Sequence, residues 1–128
     1  MKPAVSEWVE KAEGDFATAG RELRARKSPN YDAVCFHSQQ CAEKYLKAVL
    51  QENDKHIPKI HNLLELMALC LQVDTSFEML RPDLIVVERY SVRVRYPGES
   101  AEKVDAQAAY KAAKVVREFI AQKLSDKP

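Results

Sequence analysis

Hydrophobic and small residues recur every three or four positions along most of the chain, which is the spacing of one face of an α-helix. In the first segment this stripe consists of Val5, Trp8, Val9, Ala12, Phe16, Ala19 and Leu23. Ser6 is a possible N-cap, and Ser28-Pro29-Asn30 reads as a turn that stops a helix. The spacing predicts a helix from about residue 5 to about residue 26.

The second segment has two usable helix faces. Its main face consists of Tyr31, Val34, Cys35, Ser38, Cys41, Ala42, Tyr45, Leu46 and Val49, and Asn30 precedes it as an N-cap. The opposite side carries Phe36, Gln40, Glu43 and Lys47. Phe36 is unusual on a polar side, so these four residues form either a face for a partner or a surface with one exposed apolar residue. Both readings stay open.

The remaining segments complete an all-α pattern. Residues 53–58 read as a loop, a short helix opens near His61, and another begins at Pro82 and ends before Tyr96-Pro97-Gly98. The last helix starts at Ser100, and its predicted inner face consists of Ala101, Val104, Ala108, Ala112, Val115 and Phe119, broadened by Val116 and Ile120. Residues 84–87 have strand propensity but no strand to pair with. We predict one domain over residues 1–128, an antiparallel up-down bundle of four main helices plus a short fifth.

Composition and charge exclude several classes of function. The 128 residues are 46% hydrophobic and 30% charged, as in a globular domain. Twenty basic residues face nineteen acidic ones, so any nucleic-acid or membrane patch must be local. Three glycines provide no glycine-rich phosphate loop. Three cysteines and no apolar run after Met1 indicate reduced thiols, no secretory signal and a cytoplasmic protein, and we expect no cofactor.

Arginine and tyrosine alternate near the end of the fourth predicted helix. Arg89, Arg93 and Arg95 stand next to Tyr90 and Tyr96. Guanidinium groups bind phosphate in two-pronged fashion and tyrosine rings stack on bases, so we interpret this cluster as a candidate ligand-binding site. The alternative is an ordinary surface that is partly neutralised by nearby carboxylates.

The other polar candidates have weaker patterns. His37 and Cys41 stand four residues apart, a spacing for two metal ligands, but no second pair accompanies them and we expect no metal site. Asp15 lies at the rim of an apolar stripe and needs a partner. We expect that partner to be a tyrosine hydroxyl, His61 or an arginine of the fourth helix. No nucleophile motif is present.

Four motifs in combination resemble the HEPN domain family. They are Trp8-x-x-x-Ala12-x-x-Asp15, Gln39-Gln40-x-Ala42-Glu43-Lys44-x-Leu46-Lys47, His61-Asn62-Leu63 and Arg95-Tyr96-Pro97. The resemblance implies a helical bundle that dimerises, and many such proteins are encoded beside a minimal nucleotidyltransferase as a toxin-antitoxin module. It also implies that many catalytic members are metal-independent ribonucleases. In those members an arginine is followed, after four to six residues, by a histidine.

This sequence departs from the ribonuclease pattern. None of His37, His56 and His61 follows an arginine at that spacing, and no histidine follows Arg95. We therefore predict a non-catalytic homodimeric binding module that is the partner of a minimal nucleotidyltransferase. Whether the module is the toxin or the antitoxin of the pair stays open. Its ligand-binding residues would be Arg89, Arg93, Arg95 and Tyr96, and its partner face Phe36, Gln40, Glu43 and Lys47. The alternative is a metal-independent ribonuclease that uses His61 and Arg95.

Overall fold

Residues 1–126 are described by a computed structural model, and they form five α-helices, one 3₁₀ helix and no strand. The α-helices are α1 (Pro3–Leu23), α2 (Tyr31–Glu52), α3 (Leu63–Leu71), α4 (Arg81–Arg93) and α5 (Lys103–Ser125). A 3₁₀ helix, Thr75–Leu80, leads directly into α4. The predicted all-α bundle is confirmed, and residues 84–87 are helical. Residues 127 and 128 of the predicted domain lie outside the described residues.

The helix starts follow local side-chain chemistry. The Asn30 side chain accepts from the backbone N–H of Ala33, and the Asn62 side chain accepts from two N–H groups in the first turn of α3. A reciprocal pair of bonds between Glu102 and Asp105 caps α5. Helix α1 ends at Leu23, earlier than the periodicity predicts, and the chain then turns through Ser28, which has a φ of 48°.

Helix α2 lies at the centre of the bundle and packs against each of the other four α-helices. Its start lies at the start of α5, where the Ala101 N–H donates to Asp32 at 2.6 Å. Its end lies near the end of α5, since Val49 and Leu124 line the same small cavity. Helices α2 and α5 therefore run in the same direction, as an up-down arrangement requires.

The inner face of α5 agrees only in part with the predicted one. Val104 and Val115, predicted to be internal, are 63% and 41% exposed. The buried residues include Ala112, Val116 and Ile120, which were predicted to be internal. The full set is Asp105, Ala106, Ala109, Ala112, Ala113, Val116, Ile120 and Leu124. Four alanines in this set permit close approach to the neighbouring helices. Alanine occurs on both sides of α5, so the apolar spacing alone identified only part of the inner face.

A cluster of three polar side chains, Glu13, Tyr45 and Arg117, connects α1, α2 and α5. Arg117 of α5 donates from Nε and Nη2 to the two carboxylate oxygens of Glu13 in α1, at 2.7 and 2.8 Å. The hydroxyl of Tyr45 in α2 donates to the same carboxylate. The Arg117 guanidinium also lies 4.5 Å from the centre of the Phe16 ring, a cation–π geometry. Arg117 holds the pKa of Glu13 below its usual range, and burial together with the bond to Glu13 raises the pKa of Tyr45.

No helix among the described residues combines the length and the apolar composition that crossing a bilayer requires.

Replacing Arg117 with alanine should destabilise the bundle, because it leaves Glu13 with Tyr45 as its one remaining donor. The pair is about one-third exposed, so we expect the free energy of unfolding to fall by about 1–2 kcal/mol. Urea denaturation measures it. Lys111→Ala, an exposed position on the same helix, should change stability by less than about 0.5 kcal/mol. Equal effects of the two variants would contradict a specific role for the cluster.

The Glu13 interaction should also depend on pH. Because the folded state lowers the pKa of Glu13 from 4.5, its stabilisation is present above pH 4.5 and is lost as pH falls through the folded value. The stability difference between the wild type and Glu13→Gln should therefore be largest at neutral pH and shrink in acid. Urea unfolding at a series of pH values tests this, and a difference that stays constant would refute it.

Candidate functional site

The predicted arginine and tyrosine residues lie together at the end of α4. Arg89 and Arg93 belong to the helix, whereas Arg95 and Tyr96 lie in the turn that follows it. That turn continues the helical path, since the Arg95 N–H donates to the carbonyl of Val92 at 3.2 Å. Gly98, with a φ of 88°, then reverses the chain. One short segment therefore presents three guanidinium groups and a tyrosine ring.

All four of these side chains are on the surface, and Tyr96 is 64% exposed. Arg93 approaches Glu99 at 3.6 Å, a long and solvent-exposed ion pair. Within residues 1–126 no carboxylate forms an ion pair with Arg89 or Arg95. The alternative of a neutralised surface thus applies to Arg93 and not to the other two arginines.

A second polar cluster lies on the opposite side of α2 from its main face. The Glu43 carboxylate accepts from Lys47 Nζ at 3.0 Å and from Gln39 Nε2 at 3.1 Å. The Nδ1 atom of His61 lies 3.2 and 3.1 Å from its two oxygens. The Glu43 and Lys47 side chains are only 5% and 7% exposed, whereas that of His61 is 69% exposed. The buried Glu43–Lys47 ion pair is therefore linked, through Glu43, to a histidine that faces solvent.

The backbone around His61 is held by two other helices. Gln39 of α2 donates to the carbonyl of His61 at 2.8 Å. The backbone N–H of Leu63, two residues later, donates to Glu88 of α4 at 3.0 Å. The segment that carries His61 is thus fixed to both α2 and α4.

The predicted partner face is divided in the structure. Phe36 is 52% exposed and packs edge-on against the ring of His37. Gln40 is half-buried. Glu43 and Lys47, read from the sequence as part of an outward side, are instead buried, with the Lys47 ammonium 5.8 Å from the centre of the Trp8 ring. Whether Phe36 and Gln40 meet a partner stays a prediction.

Asp15 has partners other than those expected from the sequence. Its carboxylate accepts from His37 Nδ1 at 2.8 Å and from Lys44 Nζ. The prediction that a tyrosine, His61 or an arginine of the fourth helix pairs with Asp15 is wrong. Both donors to Asp15, which lies in α1, come from one side of α2. His37 is thereby committed to Asp15, and the described residues contain no group of three side chains that could hold a metal ion.

The three cysteines are buried and unpaired. Burial raises the pKa of the Cys41 and Cys70 thiols to about 12 and that of Cys35 to about 11. The thiolate is the form that reacts and binds metals, so these groups pack as small apolar side chains.

Comparison with known proteins agrees with this geometry. Over 95% of its length the chain is similar to the crystal structure of TT1696 from Thermus thermophilus, with 26% identity, a TM-score of 0.78 and 99% of that chain covered. It also resembles ST0689, an archaeal HEPN homologue, with 22% identity, a TM-score of 0.72 and 96% and 98% of the two chains covered. No curated protein matches at a significant level. The family model described as "HEPN domain" matches residues 5–124, and the chain therefore belongs to the HEPN domain family.

Proposed function

We propose that this HEPN protein is a non-catalytic, homodimeric binding module and the partner of a minimal nucleotidyltransferase in a toxin-antitoxin type module. In this proposal Arg89, Arg93, Arg95 and Tyr96 contact a phosphate or a base of a nucleotide-bearing ligand. The observation that carries it is the pair of exposed arginines, Arg89 and Arg95, which have no carboxylate partner in the described part of the chain.

An arginine without an internal partner keeps all five N–H donors for a ligand. Two such groups and an exposed tyrosine ring in residues 89–96 provide both ingredients of nucleotide recognition, paired hydrogen bonds to phosphate and a stacking surface for a base. The net charge of +1 supplies no general attraction for anions, so the affinity would have to come from this local cluster.

The dimer and the nucleotidyltransferase partner are proposed from membership of the family. Phe36 supports a protein contact, because a half-exposed phenylalanine on an otherwise polar side loses apolar area from water when a partner covers it. With Glu43 and Lys47 buried, the candidate contact narrows to Phe36 and Gln40.

Removing two guanidinium charges tests the binding surface. The double substitution Arg89→Gln/Arg95→Gln should weaken binding of ATP by about tenfold or more, since each charge-assisted bond contributes about 1.5–3 kcal/mol. Titration calorimetry measures the affinity, and co-expression with the product of the adjacent gene tests the partner. Arg26→Gln/Lys27→Gln removes the same charge elsewhere on the surface and should leave the affinity unchanged. A monomer that binds neither ATP nor that product at millimolar concentrations would contradict the proposal.

A second candidate function, metal-independent RNA cleavage by His61 and Arg95, is favoured by the hydrogen bond between His61 and Glu43. A carboxylate that orients an exposed imidazole is the arrangement of a general base. His61 Nε2 would take the proton of the ribose 2′-hydroxyl as O2′ bonds to phosphorus. The bond from phosphorus to O5′ breaks, and O5′ takes a proton from water, which gives a 2′,3′-cyclic phosphate and a free 5′-hydroxyl.

Arg95 is the arginine of the cluster that best suits this role. The Leu63 contact ties the His61 segment to Glu88, and Arg95 follows Glu88 by seven residues, a spacing that returns to the same side of a helix. The distance along the axis is about 10 Å.

Single substitutions separate the two functions. If the protein cleaves RNA, His61→Ala and Arg95→Ala should each reduce cleavage of single-stranded RNA in EDTA by about 10²–10⁴-fold, the usual contribution of a positioned acid or base. His56→Ala, an exposed histidine in the same loop, should keep wild-type activity. Absence of cleavage by the wild type would leave the binding function as the sole candidate.

A further inference from the structure

We propose that Glu43 is a positioning residue that fixes His61 in the tautomer with its proton on Nδ1 and leaves Nε2 as a proton acceptor open to solvent. The inference assigns to Glu43 a role that its position among outward-facing residues in the sequence did not indicate. It rests on the second candidate function for its use in catalysis, but the tautomer itself is independent of any activity.

The first step is the chemistry of the two facing groups. The Nδ1 atom of His61 lies 3.2 and 3.1 Å from the two oxygens of Glu43. An ionised carboxylate has acceptors only, so the hydrogen of this bond must be on the imidazole. In a neutral ring the second nitrogen then carries a lone pair. Because the His61 side chain is 69% exposed, Nε2 is accessible to a ligand.

The second step is that the Glu43 carboxylate is itself fixed in position and has a counter-charge. Its side chain is 5% exposed, and a buried carboxylate without a counter-charge would not stay ionised. The ammonium of Lys47, 3.0 Å away and equally shielded, supplies that charge. Gln39 uses its amide group on both sides of the pair, donating to the Glu43 carboxylate at 3.1 Å and to the His61 carbonyl at 2.8 Å. Gln39 therefore fixes the position of the Glu43 carboxylate relative to the His61 backbone.

The third step is a comparison within the same molecule. His37 makes an equivalent Nδ1 contact with Asp15 at 2.8 Å, but its side chain is only 28% exposed and Lys44 shares the carboxylate. That pair joins α1 to α2 in the interior edge of the bundle. Of these two histidine–carboxylate pairs in residues 1–126, the pair at His61 has the more exposed ring.

Ring ¹⁵N NMR spectra of the wild type at mildly alkaline pH test the tautomer directly. We expect the pattern of an Nδ1–H tautomer for His61 and for His37. His56 is exposed and makes no side-chain hydrogen bond in residues 1–126, so it provides the reference for a free ring. A His61 pattern that matches that of His56 would overturn the inference.

Two substitutions then identify the cause. In Glu43→Gln, Lys47 should donate to the amide oxygen and the amide N–H should face the ring, so that His61 shifts toward the Nε2–H tautomer. In Lys47→Met the carboxylate loses the counter-charge that keeps it ionised, so the preference of His61 for the Nδ1–H tautomer should weaken as well. His37 should not change in either variant. Retention of the Nδ1–H tautomer in Glu43→Gln would show that Glu43 does not set it, and circular dichroism establishes that each variant is folded.

RNA cleavage assays separate this inference from the function on which its use depends. If the wild type cleaves RNA, Glu43→Gln should lower kcat by at least tenfold with little change in KM, since the substrate does not contact Glu43. An unchanged kcat together with a shifted tautomer would refute the positioning role. A wild type that does not cleave RNA refutes the ribonuclease function and removes the catalytic use of His61, whereas the tautomer spectra would still decide whether Glu43 orients the ring.

Discussion

Lys47 and Glu43 stand one turn apart on α2, and the fold covers both of them. Removing two ions from water is costly unless their remaining hydrogen-bonding groups are also satisfied. Here Gln39 and His61 complete the set around the carboxylate, and the indole of Trp8 lies against the ammonium. The arrangement requires α1, α2 and the segment before α3 to be in place together. The central helix can therefore be enclosed on its polar side as well as on its apolar one.

The architecture was predictable because it depends on local signals. Apolar spacing located the helices, and Asn30 marked a start that the structure confirms with a side-chain cap. The inner face of α5 was predicted only in part, because alanines on several sides of a helix do not show which side is buried. The contact of Glu13 with Arg117 joins residues 104 positions apart, and no local pattern carries such information.

The candidate site was only partly readable. The sequence located the arginines near the end of α4, but it could not show that Arg93 has a carboxylate neighbour while Arg89 and Arg95 have none in the described part of the chain. Glu43 and Lys47 occupy positions typical of a solvated helix side, yet both are buried, with His61 next to the carboxylate and Trp8 next to the ammonium. The one feature of the sequence that could have indicated the pairing of His61 with Glu43 is that both residues lie within the motifs that resemble the HEPN family.

The enclosed thiols have a practical consequence for work on this molecule. Cys35, Cys41 and Cys70 are each fully shielded, and burial keeps them protonated well above neutral pH. Alkylating reagents attack thiolates, so the native cysteines should label slowly in the folded protein. A single new cysteine introduced on the surface can then carry a fluorophore or spin label selectively, without a cysteine-free background that would disturb the interior.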